Sequence, residues 1–150
     1  MIYGIGIDIV NIPQFRTAIE RWGDRFKKRV FTKKELEYCN GRKFTEQYLA
    51  ARFAAKEAFI KALGRGIKLT NIEVLNNQEG KPYMKISDWG LGVGEKTENK
   101  KMRSLEDEKK HATSQPLSLS TSGFQELRTH LTLSHDGDYC VAQVIIEVGK

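Results

Sequence analysis

YLAARFAAKEAFIKALG, residues 48–64, decides the fold. Its alanines favour helix, and Gly64 stands where a helix ends in the left-handed backbone that glycine enters without steric cost. A long helix from about residue 45 to Gly64 is expected. Its small side chains also allow another backbone or a ligand to approach closely. At about 100° per residue, Glu57 falls on the arc of Ala50, Phe53 and Ala54, with Lys61 one turn onward, so Glu57 is not on a plainly solvated face. Arg52 and Lys56, four apart, form a separate cationic ridge. Taken alone, the Lys56-Glu57 pair reads as ordinary surface salt bridging.

Upstream, MIYGIGIDIV alternates with period two: Tyr3, Ile5, Ile7 and Ile9 on one face, Gly4, Gly6, Asp8 and Val10 on the other. That is a strand, with its carboxylate on the bare face. The glycines invite a dinucleotide-binding reading, but GxGxxG would need glycine where Ile9 stands, and they lie inside the strand rather than in a strand-to-helix loop. That reading is rejected. A glycine-stripped face suits close packing of another backbone or of a bulky ligand beside Asp8. On this pattern alone, packing and function remain equally open for Asp8.

Between strand and long helix, Asn11 before Pro13 starts a helix in which Phe15, Ala18, Ile19, Trp22 and Phe26 form a buried aromatic stripe. Arg16, Arg21, Arg25, Lys27 and Lys28 are exposed on it. Thr32-Lys33-Lys34-Glu35 fits a capping box opening a short helix to about Tyr38. Downstream, 72–75, a turn at 77–80 and 82–86 read as a hairpin. From about 89 to 125 the chain turns charged and then Ser/Thr-rich, an exposed, flexible insertion with a solvated helix at 102–110. Pattern returns as a strand at 130–134, a turn at 135–138 and an apolar strand at 139–148.

The 150 residues, 39% hydrophobic and 29% charged, suit one domain spanning 1–150. No apolar run approaches the roughly 20 residues of a membrane helix, and neither a signal peptide nor an amphipathic presequence is visible. A protein with no membrane partner is expected, in the cytoplasm or alternatively in a mitochondrial or other organelle matrix. Cys39 and Cys140 lack metal-ligand spacing and point to a reducing compartment. The net charge of +6 is uneven: residues 1–70 hold 15 Lys/Arg against 7 Asp/Glu, and the rest 10 against 12. Such a field speeds encounter with an acidic partner, be it nucleic acid, acidic protein or phosphorylated small molecule.

Asp8 on a strand and Glu57 on a semi-apolar helix face, with cations around them, suggest a magnesium site. Mg²⁺ takes one or two carboxylates and completes its octahedron with waters and phosphate oxygens. His135 reads locally either as a surface turn residue or as a phosphate partner.

GIGIDIV, FTKKELEYC, ARFAAKEAFIKALG and LSHDGDYCVAQVII, in that order and with GKPY between the last two, resemble the holo-acyl-carrier-protein synthase family of 4'-phosphopantetheinyl transferases. The resemblance covers residues 1–87 and 127–148. It implies an α+β fold, a small, mostly antiparallel sheet packed on a long helix, and a homotrimer with active sites between protomers. It implies transfer of the pantetheine arm of coenzyme A to a serine of apo-acyl carrier protein, releasing adenosine 3',5'-bisphosphate, in support of fatty acid biosynthesis. By position, Asp8 and Glu57 match the Mg²⁺ ligands and Lys61 a lysine on the reacting pyrophosphate, with Glu57 and Lys61 catalytic. Arg52, Lys56, Lys61, Ser134 and His135 match the coenzyme A contacts.

Arg16, Arg21 and Arg25 would meet the carrier protein, because Asn11 and Gln14 depart from the acidic residue and arginine common at those places in the family. Two other readings stay open: a basic nucleic-acid-binding domain and a non-catalytic family member. The first explains the charge asymmetry but not Asp8 and Glu57, which would repel phosphate in the absence of a metal.

Overall fold

A computed structural model describes residues 1–88 and 127–149. The insertion at 89–125 and its helix at 102–110 lie outside the described residues. Strand β1 (Ile2–Asn11) pairs antiparallel with β5 (Tyr139–Val148), which pairs antiparallel with β4 (Leu127–Asp136), so the last strand is the central one. Helix α3 (Thr45–Leu63) lies across this sheet, and its opposite side is covered by α1 (Ile12–Val30) and α2 (Lys33–Cys39). A one-turn 3-10 helix (Leu69–Asn71) leads into a separate hairpin of β2 (Ile72–Asn76) and β3 (Pro82–Ile86). The described part is thus α+β with antiparallel sheets around a long helix.

The bare face of β1 is explained by α3. A Cβ added to Gly4 would stand 1.9 Å from the Ala62 carbonyl oxygen, and one added to Gly6 1.9 Å from that of Ala58. Glycine on the strand and alanine on the helix therefore let two backbones touch. Ala142, Val144 and Ile146 of β5 extend this dry interface, each fully buried. The other face of the sheet is open: Ile5, Ile7 and Ile9 are 56%, 59% and 63% exposed. In register beside them stand Ile145, Gln143 and Val141.

Local signals set the helix ends. Asn11 caps α1 by accepting from the Gln14 amide at 2.9 Å. The Thr32–Glu35 capping box forms at the head of α2, and Gly64 closes α3 at φ 74°.

Three expectations are corrected. Trp22 is 56% exposed rather than part of the buried stripe. Gly23 has φ 53° and kinks α1, so the 3.6-residue phase does not carry across it; Phe15 and Phe26 still meet edge to face at 5.9 Å. Arg52 and Lys56 are no solvent-facing ridge, being 2% and 0% exposed. Strand β4 is longer than 130–134 and takes in His135 and Asp136, leaving only Gly137 and Asp138 as the turn. Pairing of His135 with Cys140 and Asp136 with Tyr139 accounts for the extension.

Candidate active site

Two groups of polar side chains lie along α3. The first sits where α3 meets β1. The Lys61 ammonium donates to Asp8 Oδ1 at 2.7 Å and to the Ile7 carbonyl at 3.1 Å. Lys61 is 54% exposed, while Asp8 is largely covered. Gly4 and Gly6 create this arrangement, since only their close approach brings the Asp8 side chain alongside the last turns of α3.

Glu57 belongs to the same group. Burial raises its pKa above the ordinary glutamate value, the Asp8 charge raises it further, and Lys61 partly offsets both. Two carboxylates that repel one another beside a single ammonium gain from a further cation. Among the described residues there is no cluster of three or more His, Cys, Asp or Glu. A pair of carboxylates nevertheless suits a magnesium ion, which keeps waters and phosphate oxygens as its remaining ligands.

The second group walls a cleft of about 510 Å³ between α3, the β2–β3 hairpin and the end of β4. Tyr48, Arg52, Asn76, Pro82, Ser134 and His135 line it. The Arg52 guanidinium donates to the Tyr48 carbonyl at 3.2 Å and to Asn76 Oδ1 at 2.9 Å. It stacks on the Tyr38 ring, 4.3 Å from its centre, with Arg42 stacked on the same ring at 4.1 Å. Arg52 Nε is buried with no hydrogen-bond partner among the described residues. A permanently charged, pre-oriented guanidinium on the wall of a cleft is chemically suited to an anion.

The ten expected site residues thus separate. Asp8, Glu57 and Lys61 come together; Arg52, Ser134 and His135 line the cleft; Arg16, Arg21 and Arg25 lie exposed on α1. Lys56 belongs with none of these. Its ammonium donates to Glu35 Oε2 at 2.7 Å, the Val30 carbonyl at 2.7 Å and the Leu69 carbonyl at 2.9 Å, which uses all three hydrogens. It has no valence left for a ligand, and its expected contact with coenzyme A is corrected accordingly.

The sequence reading missed Glu35 as a core residue, and it missed Asn76 and Tyr48 on the wall of the cleft. The hairpin itself is expected from the strand-turn-strand pattern at 72–86, and the GKPY motif contributes Gly80 and Pro82 to the wall.

The model of the 4'-phosphopantetheinyl transferase superfamily matches residues 4–144. The chain belongs to that superfamily. Among curated relatives, the holo-[acyl-carrier-protein] synthase of Geobacter sulfurreducens is 41% identical over 98% of each chain. That of Clostridium tetani is 38% identical over 98% of this chain and 97% of its own. Within the superfamily this transferase therefore stands with the holo-[acyl-carrier-protein] synthases. The Neisseria meningitidis holo-[acyl-carrier-protein] synthase structure superposes with a TM-score of 0.70 at 30% identity, covering 98% of this chain and 99% of the other. The Bacillus anthracis enzyme, solved in complex with CoA (3',5'-ADP), gives 0.68 at 29% identity over 99% of both.

Proposed function

We propose that the chain transfers 4'-phosphopantetheine from coenzyme A to a serine of apo-acyl carrier protein, yielding holo-carrier protein and adenosine 3',5'-bisphosphate, in support of fatty acid biosynthesis. The observation that carries this reading is the gathering of Asp8 of β1 with Glu57 and Lys61 of α3, a helix whose preceding turns wall an arginine-bearing cleft, in a chain of this superfamily. In the reaction, the serine Oγ forms a bond to the β-phosphorus of coenzyme A, and the bond from that phosphorus to the oxygen of the departing bisphosphate breaks. Glu57, half-buried and poorly solvated, takes the serine proton.

Phosphoryl transfer depends mainly on positioning and charge neutralisation. Lys61, more than half exposed, offers its ammonium to the pyrophosphate. Arg52 and His135, with Ser134, bind coenzyme A in the cleft. Asp8 and Glu57 would hold Mg²⁺, which when bound neutralises the pyrophosphate and polarises the phosphorus.

Arg16, Arg21 and Arg25 receive the carrier protein, whose acidic surface is steered by the basic helix. A homotrimer covers the apolar outer face of the sheet, where Ile5, Ile7 and Ile9 lie open. Arg52 and Lys61 are nine residues apart on one helix, about 13 Å along its axis. Active sites shared between neighbouring copies would bring such separated groups to one coenzyme A. Asn11, which departs from the family pattern, is occupied in capping α1 and supplies no argument against activity.

The test is incubation with coenzyme A, Mg²⁺ and apo-acyl carrier protein, followed by mass spectrometry of the carrier. Gain of the phosphopantetheine increment, lost on chelation of the metal, is expected. No increment with several carriers, together with salt-sensitive DNA or RNA binding, would replace this reading with the nucleic-acid one. Light scattering of Ile7→Asp should show monomer where the unaltered protein shows trimer.

A further inference from the structure

The carboxylate of Glu35 is fully buried and accepts from three elements at once. Its Oε2 takes the Thr32 amide at 2.8 Å, closing the head of α2, and the Lys56 ammonium of α3 at 2.7 Å. Its Oε1 takes the Val74 amide of β2 at 2.9 Å. That amide points away from the partner strand β3, so Glu35 is what satisfies the free edge of β2 at this point. Two residues further along the same strand, Asn76 accepts from Arg52 at 2.9 Å and donates to the Gly80 carbonyl at 2.8 Å. Arg52, Asn76 and Gly80 all line the cleft.

We infer that Glu35, acting through Lys56 and Val74, is a positioning residue for the coenzyme A cleft: it pins β2 to α3 and thereby sets Asn76 against Arg52. The inference rests on the assignment of this cleft to coenzyme A. Lys56 lies one helical turn from Arg52, so α3 is tied to β2 at two levels, first through Glu35 and then through Asn76. Loss of the lower tie leaves β2 held by Asn76, by the Thr32–Glu73 hydrogen bond at 2.8 Å and by the burial of Ile72 and Val74, none of which fixes the Val74 amide against α3. The guanidinium that faces the ligand then loses its fixed direction, although nothing that touches the ligand has been altered.

The experiment measures the dissociation constant for coenzyme A by calorimetry together with the melting temperature. Four proteins are compared: the unaltered protein, Glu35→Gln, the pair Glu35→Leu/Lys56→Met, and a core variant remote from the hairpin, Phe15→Leu. The pair removes both charges from the core and should recover most of the stability lost in Glu35→Gln, yet it cannot accept from the Val74 amide. Expected are a Kd raised roughly tenfold in both Glu35 variants, the scale on which an outer partner of a binding group acts, and an unchanged Kd in Phe15→Leu despite a lower melting temperature. A Kd that returns to normal in the stable pair, or that rises equally in Phe15→Leu, would overturn the inference. Absence of coenzyme A binding by the unaltered protein would instead remove the assignment on which it rests, and the inference with it.

Discussion

Two lysine–carboxylate contacts on α3 have the same length and opposite consequences. Lys56 meets Glu35 at 2.7 Å with both side chains 0% exposed, and Lys61 meets Asp8 at 2.7 Å with the lysine 54% exposed. The buried lysine has every hydrogen assigned to a protein oxygen. Burial still holds its pKa below the ordinary lysine value, with Glu35 opposing that shift. The outer lysine makes two contacts, with Asp8 and the Ile7 carbonyl, and keeps much of its surface in solvent beside Glu57. Saturation makes the first pair a structural tie. Incomplete satisfaction makes the second a place where a charged substrate can be received.

Five changes would break or sharpen that contrast. Gly6→Ala strikes both pairs, because its methyl would meet the Ala58 carbonyl, a backbone atom that cannot rotate away. Separation of α3 from β1 should cost more than about 4 kcal/mol, in the range reserved for core disruption, and urea unfolding would measure it. Lys56→Met leaves the Glu35 carboxylate buried without its cation, at an expected cost of about 3–5 kcal/mol. A melting temperature within a degree or two of the unaltered protein would show that the buried pair is not a tie.

Glu57→Gln and Asp8→Asn act on the outer group and should separate activity from stability. The turnover number should fall by about 10²–10³-fold, the scale for removing a group that stabilises transition-state charge, with little change in unfolding. Near-normal magnesium-dependent turnover in either would remove these residues from the site. The smallest effect is expected from Arg21→Glu/Arg25→Glu on exposed α1. Steered encounter predicts a KM for carrier protein raised by about tenfold and less sensitive to salt, with the KM for coenzyme A unchanged. Equal losses for both substrates would deny the helix a separate docking role.

Some of this organisation is legible along the chain. Alternation at the N-terminus, the capping box at Thr32 and the glycine stop at Gly64 are local, and each forms where the residues place it. The 82–86 and 139–148 strands likewise appear with the bounds expected. Trp22 stands at helical spacing from Phe15 but outside the packed rings of Phe15, Phe26, Phe31 and Phe53, because spacing gives the direction of a helix face and not its width. The turn expected at 135–138 shrinks to Gly137-Asp138, because a hairpin turn needs only two residues and strand pairing claims His135 and Asp136.

Lys56 shows the limit most clearly. A lysine four residues from an arginine on a helix looks like a solvated ridge when only the helix is considered. Its actual partner, Glu35, lies 21 residues earlier on another helix, and Glu35 carries a local capping signal that says nothing of burial. Polar residues can enter a core only when several elements converge to satisfy them, and such convergence leaves no periodic trace.

By itself, then, the amino-acid order determined the long alanine-rich helix, the glycine-stripped strand and the capped helix ends, because propensity, capping and spacing act over a few residues. Tertiary structure alone decided which cation is spent in the core, which lines the cleft and which stays open to solvent, and it decided that α3 itself fills the space beside Gly4 and Gly6. Those outcomes depend on oxygen acceptors and backbone surfaces brought from distant segments, whose meeting is set by packing.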